Sequence, residues 1–350
     1  MKKLLSVFLL LALLVTLTGC PPLDKNEPPQ DSGYLKVHYI DVGQADAMLL
    51  ECNGEFILID GGNVADSSLV VSYLQRQGVT ELLAVICSHA HEDHVGGLPG
   101  ALAVFRTYHV YAPTHTYSSQ CFDDFVRYTD QQDLEITIPT PGDYLLFGGA
   151  TVTFLGPTQS YADPNNTSLV VRVDYGETSF LFTGDMETQA ENDLLEYWGE
   201  DYDWYVDVLK VGHHGSETST GYRFLRAVMP IYGVISVGQG NSYGHPHELP
   251  LSRLEQAGVI LYRTDDLGTI IATSNGSQVT FTWEKAQGGP SVPPAPDPTV
   301  PPSIYIGNKN SKVLHKPHCS SLPKEENQVE FDSYEEAIEA GYRPCSRCMG

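Results

Sequence analysis

Between Cys87 and Gly97 the chain reads Cys-Ser-His-Ala-His-Glu-Asp-His-Val-Gly-Gly, which gathers His89, His91, Asp93 and His94 within six residues. The segment leaves an apolar strand, Leu82 to Cys87, and enters a loop before a helix beginning near Gly97. Imidazoles and a carboxylate packed this closely would carry unpaired polar atoms into the interior unless something binds them. A divalent cation does so. His89 and His91, two residues apart, converge in a turn, and Asp93 and His94 then address a neighbouring position. Nitrogen and oxygen ligands suit Zn, Mn or Fe, with open positions left for water.

The elements that must position these groups are legible as hydrophobic runs. Leu35 to Asp41, Ala47 to Cys52 and Phe56 to Asp60 read as strands, the last two joined by an Asn53-Gly54 hairpin turn. Asp66 to Gln77 has helical spacing and stops at Gly78. Further strands are expected at 150–155, 168–175, 179–183, 206–211, 231–237, 260–262, 269–273 and 278–283. Helices are expected at 187–197, 220–228 and 249–256. Strand pairs followed by alternating strands and helices predict two mixed sheets covered by helices. The acidic run from Glu187 to Asp207, free of Lys and Arg, reads as a solvated face.

His89-x-His91-x-Asp93-His94 resembles the signature of metallo-β-lactamase fold hydrolases. Asp60 in Ile-Asp-Gly-Gly, Thr183-Gly184-Asp185, and His245 ahead of a helix match later motifs of that family. The resemblance implies an α/β (α+β) four-layer αββα sandwich holding two divalent metals, Zn or Mn, at the strand ends. It implies that His89, His91 and Asp185 hold the first metal. Asp93, His94, Asp185 and His245 hold the second, and Asp60 supports a ligand histidine. Many members place a third histidine between the signature and the Gly-Asp motif. Here only His109 and His115 lie in that interval, and Asn165 and Asn166 occupy the expected position. An amide there, assigned to Asn166, is a weaker ligand, which leaves the first metal held loosely or completed by His213 or His214. His213 and His214 are otherwise assigned to charge stabilisation or leaving-group protonation. His38, His109, His115 and His247 are expected to be incidental.

Asp41-Val-Gly-Gln-Ala-Asp-Ala47, Asn166-Thr-Ser-Leu-Val170 and Lys210-Val-Gly-His-His-Gly-Ser216 resemble the hydrolase domain of the ComEC competence DNA-internalisation channel. That resemblance implies a phosphodiester substrate, DNA. The channel's membrane regions have no counterpart here, so the expectation is a free-standing hydrolase.

The ends of the chain carry different chemistry. Lys2-Lys3, the apolar run Leu4 to Thr18 and Leu17-Thr-Gly-Cys20 resemble a bacterial lipoprotein signal. The expectation is cleavage after residue 19 and a lipid anchor on Cys20 at the outer face of the cytoplasmic membrane, with secretion as the alternative. A tether over 20–33 would follow, the hydrolase would span 34–285, and no transmembrane helix is expected in the mature chain. Residues 286–303, rich in Pro and Gly, read as a spacer. Residues 304–350 carry His315-x3-Cys319 and Cys345-x2-Cys348, a spacing that suits one structural Zn. This run resembles the metal-binding module of the Ada DNA-repair protein, with His315 in place of one Cys and His318 as a rival ligand. DNA contact through Lys309, Lys312, Lys316, Arg343 and Arg347 is one reading of this small α+β domain. Cys52, Cys87 and Cys121 remain, an odd number that does not support a disulfide scaffold.

The 350 residues include 20 Lys and Arg against 44 Asp and Glu, a net charge of −24. Segment 34–285 holds 11 of those basic side chains and 33 of the acidic ones. Such a surface cannot hold nucleic acid by bulk electrostatics, although metal ions invert the field locally. The leading expectation is therefore a metal-dependent phosphodiesterase or DNase. A hydrolase of a small ester, lactone or β-lactam is the second reading, and a DNA-tethering lipoprotein the third. Protein partners are unknown from sequence.

Overall fold

A computed structural model describes residues 33–199, 201–286, 288–292, 305–315, 319, 321–324, 327–331 and 334–345. The expected signal and tether, most of the Pro-rich spacer, and the expected roles of Lys316, His318, Arg347 and Cys348 fall outside the described residues.

The strands in chain order begin with β1 (Leu35–Tyr39), β2 (Met48–Cys52), β3 (Glu55–Ile59), β4 (Glu81–Ile86), β5 (Arg106–Tyr111) and β6 (Ile136–Thr137). They continue with β7 (Tyr144–Phe147), β8 (Ala150–Gly156), β9 (Val170–Tyr175), β10 (Thr178–Phe182) and β11 (Val208–Lys210). Next come β12 (Tyr232–Ile235), β13 (Ile260–Arg263), β14 (Ile270–Ser274) and β15 (Val279–Trp283). The helices among them are α1 (Ser67–Arg76), α2 (Glu92–Val95), α3 (Leu98–Val104), α4 (Gln120–Asp130), α5 (Thr188–Trp198), α6 (Tyr222–Val228), α7 (Glu248–Gln256) and α8 (Thr264–Leu267).

The strands form an eight-stranded sheet, β15-β14-β1-β2-β3-β4-β5-β6, and a seven-stranded sheet, β13-β12-β11-β10-β9-β8-β7. Asn53 and Gly54 both adopt positive φ, 48° and 86°, as the two-residue turn between β2 and β3 requires. Side-chain alternation sorts each strand onto two cores. Ile57 and Ile59 of β3, Ala84 and Ile86 of β4, and Phe180 and Phe182 of β10 meet between the sheets. Leu58 and Val85 turn outward onto Val70, Leu74, Leu98 and Phe122 of α1, α3 and α4. Leu181 and Leu209 turn outward onto Leu194, Phe224 and Leu254 of α5, α6 and α7. The result is the expected four-layer αββα sandwich. Burial on both faces is why the central strands read as unbroken apolar runs.

Helix α4 was not anticipated. Its signal was present, because Ser119 caps it by accepting from Phe122 N at 3.3 Å and Cys121, Phe122 and Phe125 form its buried stripe.

The tail adds β16 (Tyr305–Asn308), β17 (Val313–His315), β18 (Gln328–Phe331), α9 (Tyr334–Glu339) and β19 (Arg343–Pro344). Its strands pair in the order β18-β16-β17-β19 around Leu314, Phe331, Ala337 and Tyr342. Helix α9 docks on the hydrolase. Arg253 Nη2 lies 2.6 Å from Glu339 Oε1, and Glu339 Oε2 accepts from Tyr222 N at 2.8 Å. Ser291, within the expected spacer, exchanges two backbone hydrogen bonds with Leu261 at the edge of β13. The acidic run also departs from a purely solvated face. Glu191 is 2% exposed and accepts from Thr220 N and Gly221 N.

Parallel pairing of β3 with β4, and of β10, β11 and β12, brings their C-terminal ends together. The loops that follow these strands carry Asp60, His89–His94, Asp185, His213–His214 and His245.

Candidate metal centre

The β4 loop is fastened to the β3 loop before any ligand is placed. Asp60 sits at φ +56° and is fully buried. Its carboxylate accepts from Ser88 N and Ser88 Oγ, each at 2.7 Å, and from His94 Nδ1 at 2.9 Å. A Cβ on Gly97 would collide with the carbonyl oxygen of Gly61, so only glycine lets the two loops close. With Nδ1 held by Asp60, the His94 ring presents Nε2 to the opposite sheet.

There it meets Asp185 Oδ1 at 3.3 Å. His214 Nε2 lies 3.3 Å from Asp93 Oδ2 and 3.8 Å from Asp185 Oδ1, and its Nδ1 is fixed 2.9 Å from Ser236 O. Asp93, His94, Asp185 and His214 each offer a ligand atom, all within 4.8 Å of one another. His94 Nε2, His214 Nε2 and Asp185 Oδ1 are buried without a hydrogen-bond partner among the described residues. Orphaned nitrogen and carboxylate oxygen atoms facing one point are what a divalent cation satisfies, so the residues present fit a metal.

A second position adjoins the first. His89 Nε2 lies 3.0 Å from His91 Nδ1 and 3.9 Å from Asp185 Oδ2. His213 Nε2 lies 3.5 Å from the same carboxylate oxygen. Asp185 thus shows one oxygen to each group. His213 and His214 both adopt left-handed backbone, φ 49° and 54°, at a cost of roughly 1–2 kcal/mol each. That consecutive strain turns both rings into the cleft.

Two expected residues stand elsewhere. Asn166 Oδ1 accepts from Glu187 N at 3.1 Å and so braces the Asp185 loop. Its neighbour Asn165 lines the cleft with an unpartnered buried Oδ1. His245 also lines the cleft, outside the convergent group. Its Nδ1 lies 3.3 Å from Gln44 Nε2. Gln44 Oε1 accepts from Gly238 N at 3.1 Å, so the amide nitrogen donates to the imidazole. Of the histidines expected to be incidental, His38 is a core residue 2.8 Å from the Tyr73 hydroxyl, and His109 and His115 are exposed. His247 Nδ1 accepts from Glu217 N. Cys52, Cys87 and Cys121 are free and buried.

Sequence reasoning missed Asp46 and Lys210. Both are fully buried, and Lys210 Nζ lies 2.8 Å from Asp46 Oδ2 and donates to Val211 O at 3.0 Å. Asp46 Oδ1 stands 3.4 Å from His214 Nδ1. The available signal was Lys210 itself, a charge at the end of the apolar strand Val-Asp-Val-Leu-Lys-Val, which demands a buried partner. Asp46, Asp60 and His94 also cluster, but the chain's own donors Lys210 and Ser88 already fill that space.

Burial opposes charge on His94 and His214, yet the carboxylates override it. Asp185, Asp93 and Asp60 raise His94 well above its ordinary value, and Asp185 and Asp46 carry His214 to about 10. Burial lowers His245 to about 4, helped by His213 and His214, so its ring is neutral. The sign for metal uptake follows. Below their raised pKa values His94 and His214 hold the protons that a cation must displace, so affinity rises with pH through neutrality. Calorimetry in buffers of different ionisation enthalpy is expected to show at least about one proton released per metal at pH 7. Uptake without proton release contradicts the ligand set.

In the tail, His315, Cys319 and Cys345 converge, with His315 Nδ1 3.2 Å and Cys345 Sγ 3.9 Å from Cys319 Sγ. Three such ligands fit a tetrahedral metal site, and Cys348 lies outside the described residues. A core as small as that around Leu314 and Phe331 needs such a staple. Cys345→Ser is expected to release the tail's Zn and expose 305–345 to limited proteolysis while 34–285 stays resistant. A Zn-free tail that remains protected contradicts this.

Residues 40–239 match the metallo-beta-lactamase superfamily, and residues 295–349 match the metal binding domain of Ada. ComE operon protein 3 of Bacillus subtilis is 30% identical over 254 residues, covering 67% of this chain and 32% of its own length. Competence protein ComA of Neisseria gonorrhoeae is 33% identical over 232 residues, covering 66% of this chain and 31% of its own. Recombination protein 2 of Haemophilus influenzae is 32% identical over 228 residues, covering 63% and 26%. The chain thus matches a third or less of the length of each of these relatives.

Proposed function

We propose, from the premise that this chain belongs to the metallo-beta-lactamase superfamily, that it is a two-metal phosphodiesterase acting on DNA. The observation that carries the reading is Asp185, whose two oxygens face two groups of imidazoles. In this assignment His89, His91 and His213 hold one metal with Asp185, and Asn165 offers an amide oxygen beside them. Asp93, His94 and His214 hold the other with Asp185. His214 takes the place that the sequence pattern had given to His245. Metals held by these residues would supply Lewis acidity for activating water and for offsetting charge on the phosphate.

The chain's own residues do the rest. Asp60 and Ser88 fix the His94 tautomer, and Ser236 O and Asp46 fix that of His214. The neutral His245, with Nδ1 occupied by Gln44, keeps Nε2–H to donate to a phosphate oxygen in the cleft. Thr218 Oγ1 bridges His213 Nδ1 at 3.3 Å and Glu187 Oε1 at 2.9 Å, which holds that ring toward Asp185.

The polynucleotide substrate is supported by the competence and recombination names of the relatives and by the Ada-type tail. The full chain with Mn or Zn, offered single-stranded DNA, bis-p-nitrophenyl phosphate and a β-lactam, is expected to cleave the first two. Cleavage of the β-lactam alone overturns the reading. The same proposal places the enzyme on the outer face of the membrane through acylation of Cys20. Fatty-acid labelling should mark the wild type and not Cys20→Ser, and an unlabelled wild type removes the anchor. Among the described residues no helix is long and apolar enough to cross a membrane.

A further inference from the structure

The cleft over the metal centre has a volume of about 370 Å³, and none of the described side chains that line it is Lys or Arg. Glu92 and Asp93 instead add negative charge there. Capture of a phosphate backbone by cationic side chains, the usual source of affinity for polynucleotides, is therefore missing at the site.

An aromatic ring stands at the mouth in its place. Tyr243 is 67% exposed and lines the cleft. It stacks on His245 with centroids 5.6 Å apart and planes at 24°. His245 stacks in turn on His214, at 6.3 Å and 26°. Tyr243 is thus two ring contacts from a metal-binding imidazole. The loop that displays it is braced. Asn241 Oδ1 accepts from Tyr243 N at 3.1 Å and His245 N at 3.0 Å, and Asn241 Nδ2 donates to His245 O at 2.6 Å and Gly238 O at 2.9 Å. His247 Nε2 lies 3.2 Å from Tyr243 O. A large ring held rigidly in water beside a reaction centre loses little entropy when a second planar group covers it.

Resting on the phosphodiesterase reading, we propose that Tyr243 is the stacking platform for the base beside the scissile phosphate. The site consequently takes single-stranded DNA in preference to duplex. Base-on-aromatic stacking tolerates any sequence and needs an uncovered base face, which a paired and stacked duplex withholds.

The test compares KM values of the Mn-loaded full chain for a single-stranded oligonucleotide, the same oligonucleotide made abasic around the cleavage position, and its duplex. Tyr243→Ala is expected to raise KM for the single strand about 5- to 150-fold, whereas Tyr243→Trp stays within about threefold of wild type. On the abasic strand the partner ring is gone, and the Ala variant and wild type should differ by less than about twofold. An unchanged KM in Tyr243→Ala, an equal loss on the abasic strand, or equal KM for duplex and single strand overturns the proposal. If wild type cleaves none of these DNAs, the phosphodiesterase reading fails first, before any variant is compared, and this inference falls with it.

Discussion

Asp185→Ala is expected to eliminate turnover and to leave the hydrolase unable to retain its pair of metals. The reason lies in the carboxylate's position. Oδ1 lies 3.3 Å from His94 Nε2 and 3.8 Å from His214 Nε2, while Oδ2 lies 3.5 Å from His213 Nε2 and 3.9 Å from His89 Nε2. Removing it takes a ligand from both positions at once and leaves Asp93 as the sole carboxylate of the convergent group. Turnover should fall by more than roughly 10³-fold, the scale on which a whole preorganised electrostatic element is lost. Metal content, measured on the dialysed protein, should drop with it. The fold should survive, because the backbone N–H of residue 185 keeps its hydrogen bond to Ser168 Oγ at 3.0 Å. Metal-dependent activity retained by Asp185→Ala refutes the shared-ligand assignment.

Lys210→Met carries the largest expected loss of stability. The ammonium group is fully buried against Asp46 and, at 2.8 Å, is the cation nearest that carboxylate. Breaking a buried pair from one side costs about 3–5 kcal/mol, because the remaining charge stays desolvated. For a domain of this size that is a fall in melting temperature of roughly 10 °C. His94 and His214 oppose part of the penalty, since both face Asp46. Removing both charges, as in Lys210→Met with Asp46→Asn, should recover more than half of the loss. A single-variant change below about 1 kcal/mol contradicts the buried-pair account. Metal affinity should weaken roughly 10- to 100-fold in either single variant, because the Asp46 contact orients His214.

The strands that frame the site were legible because each is buried on both faces. Leu82, Ala84, Val85 and Ile86 of β4 and the whole of Thr178–Phe182 are buried, and their sequences are correspondingly apolar. The motif His89–His94 was legible because its side chains are too polar to be buried alone. What remained hidden depends on direction and distance rather than residue type. Asn165 and Asn166 are neighbours of identical chemistry, and only the short helical turn Asn165–Thr167 decides which amide enters the cleft. His214 and His245 are both plausible ligands in sequence, and the left-handed backbone at His214 sends that ring inward. Asp46 and Lys210 are distant in the chain and meet only because the two sheets face each other. Arg253 and Glu339 likewise gave no sign that the tail would dock rather than hang from its spacer.

The most direct test of the central claim is anomalous diffraction from crystals of the full chain grown with Mn or Zn. The account predicts two peaks in the hydrolase domain, one on each oxygen of Asp185. His94 and His214 should ligate one of them, His89 and His91 the other, and His245 should remain unligated on Gln44. A single peak, or a metal bound by His245 with His214 free, contradicts it.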